Sequence, residues 1–290
     1  MNILYYTSST TGVGRLVTGM AIGNALKRKG VSCKYTIAHS SSFGHLAGDF
    51  HALWVPVETE DDLAPGRWKQ SILYKTFRKL KPDVLIVHHQ WFMVHNFIQE
   101  LPCKKVYLSD QASDSHFRVP LPTGELVFDA RNYDRVIAIE PFQSTVPMET
   151  VNPVILKNRD EILSRETALR RLGHDGTKPV AFYGLSGRPE YFEKFRSKYA
   201  YLADEGYEVL YSGTYQGGLF PVVDYFNAID LLICGAGYNQ VWEAGYFGKK
   251  ALFEILDVNF SDQSLRIKTS ESFHFDVNGA DQLADIIMKL

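Results

Sequence analysis

Short runs of continuous Val, Ile, Leu and Tyr alternate with helix-patterned stretches along most of the chain. Asn2-Ile-Leu-Tyr-Tyr6 leads through a glycine-containing turn into a helical pattern from Leu16 to Lys29, which Gly30 ends as a C-terminal glycine does. Lys34-Tyr-Thr-Ile-Ala38, Asp83-Val-Leu-Ile-Val87, Lys105-Val-Tyr-Leu108 and Arg135-Val-Ile-Ala-Ile139 repeat the strand pattern, with a further helix around Lys69 to Leu80. Strands without polar alternation, separated by helices, are those of a parallel sheet covered on both faces.

The rhythm breaks between Pro141 and Pro153, where prolines interrupt any periodicity, and then restarts. Pro179-Val-Ala-Phe-Tyr183, Glu208-Val-Leu-Tyr211, Asp230-Leu-Leu-Ile-Cys234 and Lys250-Ala-Leu-Phe253 predict a second parallel sheet. Its helices fit at Arg159 to Leu172, Pro189 to Asp204, Tyr238 to Phe247 and Asp281 to Leu290. The expected fold is α/β, with two Rossmann-like domains, residues 1–150 and 151–290, whose parallel sheets face each other across an interdomain cleft. Ligands of such sheets collect beyond the C-terminal ends of the strands, so the residues that follow each strand are the candidates for chemistry.

Composition narrows the functional classes. A length of 290 residues accommodates two sizeable cores. A net charge of −2 with interspersed basic and acidic residues gives no bulk attraction to nucleic acid. Cys33, Cys103 and Cys234 form neither a metal pattern nor an even disulfide set, which favours a reducing, cytoplasmic setting. No apolar run reaches the ~18 residues of a membrane-spanning helix, and peripheral docking on a membrane surface stays open. Oligomeric state is not legible.

The second half carries the clearest motif. Asp230 to Cys234 delivers the chain to Gly235-Ala-Gly237, where missing side chains let backbone N–H groups approach an anion at the positive start of the next helix. Asn239 and Glu243 share a face of that helix, so the carboxylate can accept from ribose hydroxyls. Gly184-Leu-Ser186-Gly187 followed by Arg188 is a second phosphate cradle at a strand end. Asp262-Gln263 follows the last strand closely enough to return over the same edge, and Ser261 or Asp262 also suits a helix cap.

Together, Phe220 to Phe253 with Asp230-Leu-Leu-Ile-Cys-Gly-Ala-Gly-Tyr-Asn-Gln-Val-Trp-Glu-Ala244, Gly248-Lys-Lys-Ala251, and Asp262-Gln263 with Arg266 resemble the donor domain of MurG-like GT-B glycosyltransferases of the family 28 type. The resemblance implies a GT-B architecture and a nucleotide-sugar donor, with UDP as the nucleotide. It implies that Gly235, Gly237 and Asn239 border the pyrophosphate, Glu243 holds the ribose, and Asp262 and Gln263 contact the sugar. Gly184, Ser186 and Gly187 would form the first donor loop, and Phe220 would lie near the base. It further implies metal-independent transfer without a cofactor, in keeping with the absence of an Asp-x-Asp triplet.

In the first half, Gly12-Val-Gly14-Arg15 takes the place of a glycine-rich loop that in many relatives ends in the histidine thought to act as base. An arginine cannot be deprotonated for that task, so Arg15 is expected to bind an acceptor phosphate or carboxylate, or to neutralise the leaving diphosphate. Seven of the nine histidines fall in this half, and His88-His89 and Asp110 directly follow strands. Asp110, His88 and His89 are therefore the candidate catalytic residues. The spacing of His88, His89 and His95 matches no zinc pattern, so no metal site is expected. Trp91, at a strand exit, is a candidate for stacking on an acceptor.

The expected function is an inverting glycosyltransferase, in which a base activates the acceptor hydroxyl, moving a sugar from a UDP-sugar to a small-molecule, glycan or lipid-linked acceptor. Two alternatives share the fold. One is a UDP-sugar hydrolase of the nonulosonate-pathway type, and the other a catalytically silent nucleotide-sugar-binding subunit, which the loss of the loop histidine favours. Donor sugar, acceptor and stereochemical outcome are outside what the sequence specifies.

Overall fold

A computed structural model describes residues 1–8, 10, 12–121, 124–184, 189–256 and 261–290. The chain divides into two compact units. In the first, β1 (Asn2–Thr7) is followed by α1 (Gly14–Arg28), β2 (Lys34–His39), β3 (His51–Trp54), α2 (Glu60–Leu63) and α3 (Ile72–Leu80). β4 (Val84–His88) and β5 (Lys104–Ser109) come next, then a hairpin of β6 (Arg118–Leu121) and β7 (Gly124–Val127), and finally β8 (Arg135–Ala138) and β9 (Glu149–Thr150). The sheet runs β3-β2-β1-β4-β5-β8-β9, every pair parallel, with β6 and β7 forming a separate antiparallel ribbon.

The central strands are apolar because both their faces are covered. Val84 to Val87 are almost wholly buried, and Tyr6, Leu85, Val87 and Tyr107 share one core with Phe77 of α3 and Trp91. Ser71 caps α3 by accepting from the Tyr74 amide. Trp91 is 1 % exposed and its indole donates to the His116 carbonyl at 3.0 Å, so of the two sequence readings, core residue or stacking candidate, it is the core residue.

The second unit holds α4 (Arg165–Leu172), β10 (Val180–Gly184), α5 (Pro189–Lys198), β11 (Glu208–Ser212), β12 (Leu231–Gly235), α6 (Tyr238–Tyr246), β13 (Ala251–Glu254) and α7 (Gln263–Ser272). Its four-stranded sheet has the order β11-β10-β12-β13 and is also entirely parallel. Asp230 ties the sheet's N-terminal edge together, accepting from the Val180 amide at 2.8 Å and from the Arg165 guanidinium.

The last helix, α8 (Gly279–Ile287), belongs to the first unit, although the sequence counts it with residues 151–290. It packs on α1, where Arg28 pairs with Asp281 at 2.7 Å and Lys29 with Asp285 at 2.7 Å. Its start is held by Gly279, whose amide donates to the Pro153 carbonyl, and a β-carbon there would fall 1.7 Å from the Asn152 carbonyl oxygen. Pairings of this kind join residues more than 120 positions apart, which no local pattern announces. The proline-rich stretch between the halves also differs from the expectation of a plain linker, since it supplies the short edge strand β9.

Candidate functional site

In the second unit Gly184, Gly235 and Gly237 meet at the C-terminal edge of the sheet. β12 ends at Gly235, opposite Glu254 of β13, and the turn to α6 is pinned by the Ala236 amide donating to the Glu254 carbonyl at 2.9 Å. Gln240, in the first turn of α6, donates to the Gly184 carbonyl at 2.8 Å and so joins this turn to the end of β10. α6 is fixed by its buried side: Trp242 is 1 % exposed and lies edge-on to Phe273 and Phe275.

The start of α6 is open. Gly237 occupies the N-cap with no side chain to cap the helix, and the first turn holds no acid. Its φ of −70° and ψ of 159° suit any residue. Among the described residues a β-carbon there would meet Gln240 Oε1 alone, at 3.7 Å. Neither backbone strain nor packing calls for glycine at this position, so what the glycine preserves is open access to the helix N–H groups, whose dipole favours negative charge. Beneath the turn lies the buried guanidinium of Arg266, which donates to the Ala236 carbonyl at 3.4 Å.

Farther along the helix Glu243 is half-buried. Loss of water around its carboxyl pushes it up to about 8, opposed by a hydrogen bond from the Leu156 backbone. Gln263 is buried and its Oε1 accepts from the Leu256 amide at 2.7 Å, while Asp262 beside it is exposed. Glu254, which the sequence reading passed over, is a buried carboxylate at the end of β13 held by Lys198 and the Tyr199 hydroxyl. Phe220 and Asn239 are half-buried. Ser186 and Gly187 lie outside the described residues.

In the first unit β4 and β5 deliver a cluster to the same kind of edge. His88 closes β4 and His89 follows it, with φ of 68°, a left-handed conformation uncommon for a side-chain-bearing residue and often found where function demands it. Asp110 Oδ1 lies 2.9 Å from His89 Nε2 and 3.6 Å from His88 Nε2, off the line of a regular hydrogen bond. His88 Nδ1 meets the Tyr5 hydroxyl, which also donates to the Arg15 carbonyl at 2.7 Å. His89 Nδ1 faces His116 Nε2 at 2.6 Å.

Burial governs the protonation of this cluster. It pushes His88 down to about 4 against the pull of Asp110, and His116 down to about 3 with help from His89. Burial also works to raise Asp110, but the charge of His89, contacts from both histidines and the Arg15 guanidinium outweigh it and hold the carboxyl well below the usual range. The result is a carboxylate beside the neutral rings of His88 and His116, a combination suited to accepting a proton. Gly12 is half-buried, Gly14 begins α1, and Arg15 in its first turn is half-buried.

No protein-family model and no curated protein sequence matches the chain. Solved structures do. The glycosyltransferase SsfS6 of Streptomyces sp. SF2575, complexed with thymidine diphosphate, superposes with a TM-score of 0.59 at 12 % identity, covering 100 % of both chains. The glycosyltransferase VinC in complex with dTDP gives 0.61 at 12 % identity, over 100 % of this chain and 90 % of that one. MurG of Acinetobacter baumannii gives 0.53 at 12 % identity, over 99 % and 90 %.

The chain has the GT-B fold. As in the sequence reading, its GT-B units each carry a parallel sheet, and Gly184, Gly235, Gly237 and Asn239 gather at one sheet edge of the second. His88, His89 and Asp110 come together in the first. The sequence reading gives Tyr107 and Glu140 no place at this edge, and it names Tyr5 and His116 without joining them to the cluster. His116 sits in a turn-rich stretch six residues past Asp110, with only the histidine excess of the first half as a signal. Glu140 directly follows the β8 region, is 1 % exposed and accepts from the Gln111 amide at 2.6 Å, so the strand-end rule would have found it. Among the described residues no helix is long and apolar enough to cross a membrane.

Proposed function

We propose that the protein is a glycosyltransferase that moves a sugar from a nucleoside diphosphate, UDP by the motif, to an acceptor hydroxyl. The observation that carries this reading is the open start of α6 at Gly237, on the sheet edge of a GT-B chain. Thymidine diphosphate in two of the solved structures supports it, because thymine and uracil present the same polar edge. In this reading Gly235, Gly237 and Asn239 border the pyrophosphate and Glu243 takes the ribose. Asp262 and Gln263 lie toward the sugar, Phe220 toward the base, and Gly184 with Ser186 and Gly187 completes the phosphate loop. Residues 1–150 bind the acceptor, with Gly12, Gly14 and Arg15 receiving an anionic group on the acceptor or the departing diphosphate.

The cluster of Asp110, His88 and His89 supplies the base. It takes the proton of the acceptor hydroxyl as that oxygen forms its bond to the anomeric carbon. The bond from that carbon to the diphosphate breaks, and its electron pair stays on the diphosphate oxygen, where the first N–H groups of α6 offset the charge. The test is a panel of UDP- and TDP-sugars offered with pooled acceptors and without any. Transfer to an acceptor is the expected result, rapid release of free sugar alone would mark a hydrolase, and tight nucleotide binding with no turnover a silent subunit.

A further inference from the structure

We propose that His116 is a positioning residue that fixes the proton of His89 on Nε2, leaving Nε2 of His88 as the proton acceptor of the cluster. The inference rests on the glycosyltransferase reading only for its kinetic consequence. The proton placement follows from which atoms can donate.

His116 Nε2 lies 3.0 Å from the His89 carbonyl oxygen, which can only accept, so that nitrogen carries a hydrogen. The same N–H faces His89 Nδ1 at 2.6 Å, which makes Nδ1 the lone-pair nitrogen of His89. The proton of a neutral His89 therefore sits on Nε2, 2.9 Å from Asp110 Oδ1, where a lone pair would repel the carboxylate. The Tyr107 hydroxyl, 3.3 Å from His116 Nε2, closes the far side of the ring pair. His89 is thereby held at Nδ1 and turns its Nε2 toward Asp110.

The neighbouring branch runs the other way. Tyr5 has one hydroxyl hydrogen and directs it to the Arg15 carbonyl at 2.7 Å, so its oxygen accepts from His88 Nδ1. The lone pair of His88 is then on Nε2, which is buried, has no hydrogen-bond partner and lies 3.6 Å from Asp110 Oδ1. A proton arriving there creates an imidazolium next to a carboxylate that is already ionised, so the acceptor is stabilised as it charges. The low titration ranges of His88 and His116 agree with both rings being neutral near pH 7. The charged and titratable groups facing His88 are Tyr5 of β1, Arg15 of α1, His89 and Asp110.

Long-range proton–nitrogen spectra of the full chain labelled with ¹⁵N-histidine test the placement directly, with His88→Gln, His89→Gln and His116→Gln used for assignment. The expected result is His88 protonated on Nδ1, and His89 and His116 on Nε2. A doubly protonated His89, a His89 protonated on Nδ1, or a His88 protonated on Nε2 each overturns the proposal, whether or not any sugar is transferred. In His116→Phe the His89 proton should lose its fixed position and kcat should fall by about 10- to 100-fold, part of what a well-placed base contributes, with the donor KM unchanged. His116→Gln, which restores an N–H donor, should recover most of that loss. A His116→Phe protein that keeps both its tautomers and its kcat contradicts the positioning role. Absence of transfer with every acceptor, alongside the expected spectra, would count against the glycosyltransferase reading alone.

Discussion

Gly237→Ala separates binding from folding, because among the described residues nothing collides with the new methyl. The residue already has a φ of −70°, and of those residues the added carbon would meet Gln240 Oε1 alone, at 3.7 Å. Alanine is a poorer N-cap than glycine by a few tenths to about 1 kcal/mol, while stiffening of the unfolded chain returns about 0.4–1 kcal/mol. The net change in stability is within about 0.5 kcal/mol. A diphosphate seated on the helix start would instead be pushed away from its N–H groups. Loss of one charge-assisted hydrogen bond costs about 1.5–3 kcal/mol. That corresponds to roughly 10- to 150-fold in Kd. Titration calorimetry with UDP on the wild type and the variant measures the ratio, with urea unfolding as the control. An unchanged Kd for UDP in a folded variant would refute the argument that this glycine is kept for phosphate access.

Three further outcomes are expected. Glu243 keeps its proton up to about pH 8 in the folded chain but loses it near 4.5 when unfolded, so its contribution to stability is whole below pH 4.5 and drains away as pH rises to about 8. The slope is at most about 1.4 kcal/mol per pH unit, less because the group is only half-buried, and Glu243→Gln should flatten it in urea titrations between about pH 5 and pH 8.5. Asp110→Asn should keep the fold while lowering kcat by about 10²- to 10⁴-fold in a sugar-transfer assay, and a fall below tenfold would remove Asp110 from the base cluster. Gly279→Ala forces a carbon to within 1.7 Å of the Asn152 carbonyl, so the start of α8 must shift and the chain should lose about 3 kcal/mol or more in urea unfolding.

Much of the fold is legible in the sequence because parallel strands covered on both faces announce themselves as continuous apolar runs, as Val84 to Val87 and Leu231 to Cys234 do. The edges are not legible for the same reason. β3 is His-Ala-Leu-Trp with exposed ends, β9 is two residues long, and β6 contains a proline, so each lacks the buried run that marks a strand. For α7 the sequence offers a cap at Ser261 or Asp262 but no helical pattern, since Gln-Ser-Leu-Arg-Ile-Lys-Thr-Ser-Glu-Ser has little apolar stripe, its buried residues being Gln263 and Arg266. At the sites, glycines at strand ends are local signals and were found. The partnership of His89 with His116 joins residues 27 apart through a loop, and only the assembled sheet brings the two rings together.

The docking of α8 on α1 makes the first unit discontinuous in sequence, because the chain leaves it after Val154 for the second unit and returns with residues 277–290. During synthesis the second unit can complete its four-stranded sheet while the first still waits for the helix that covers α1. The order of maturation is therefore the reverse of the order of translation for these two halves. A nascent chain stalled before α8 would display a finished four-stranded sheet beside an unfinished first unit, with the basic pair Arg28 and Lys29 exposed where Asp281 and Asp285 have yet to arrive.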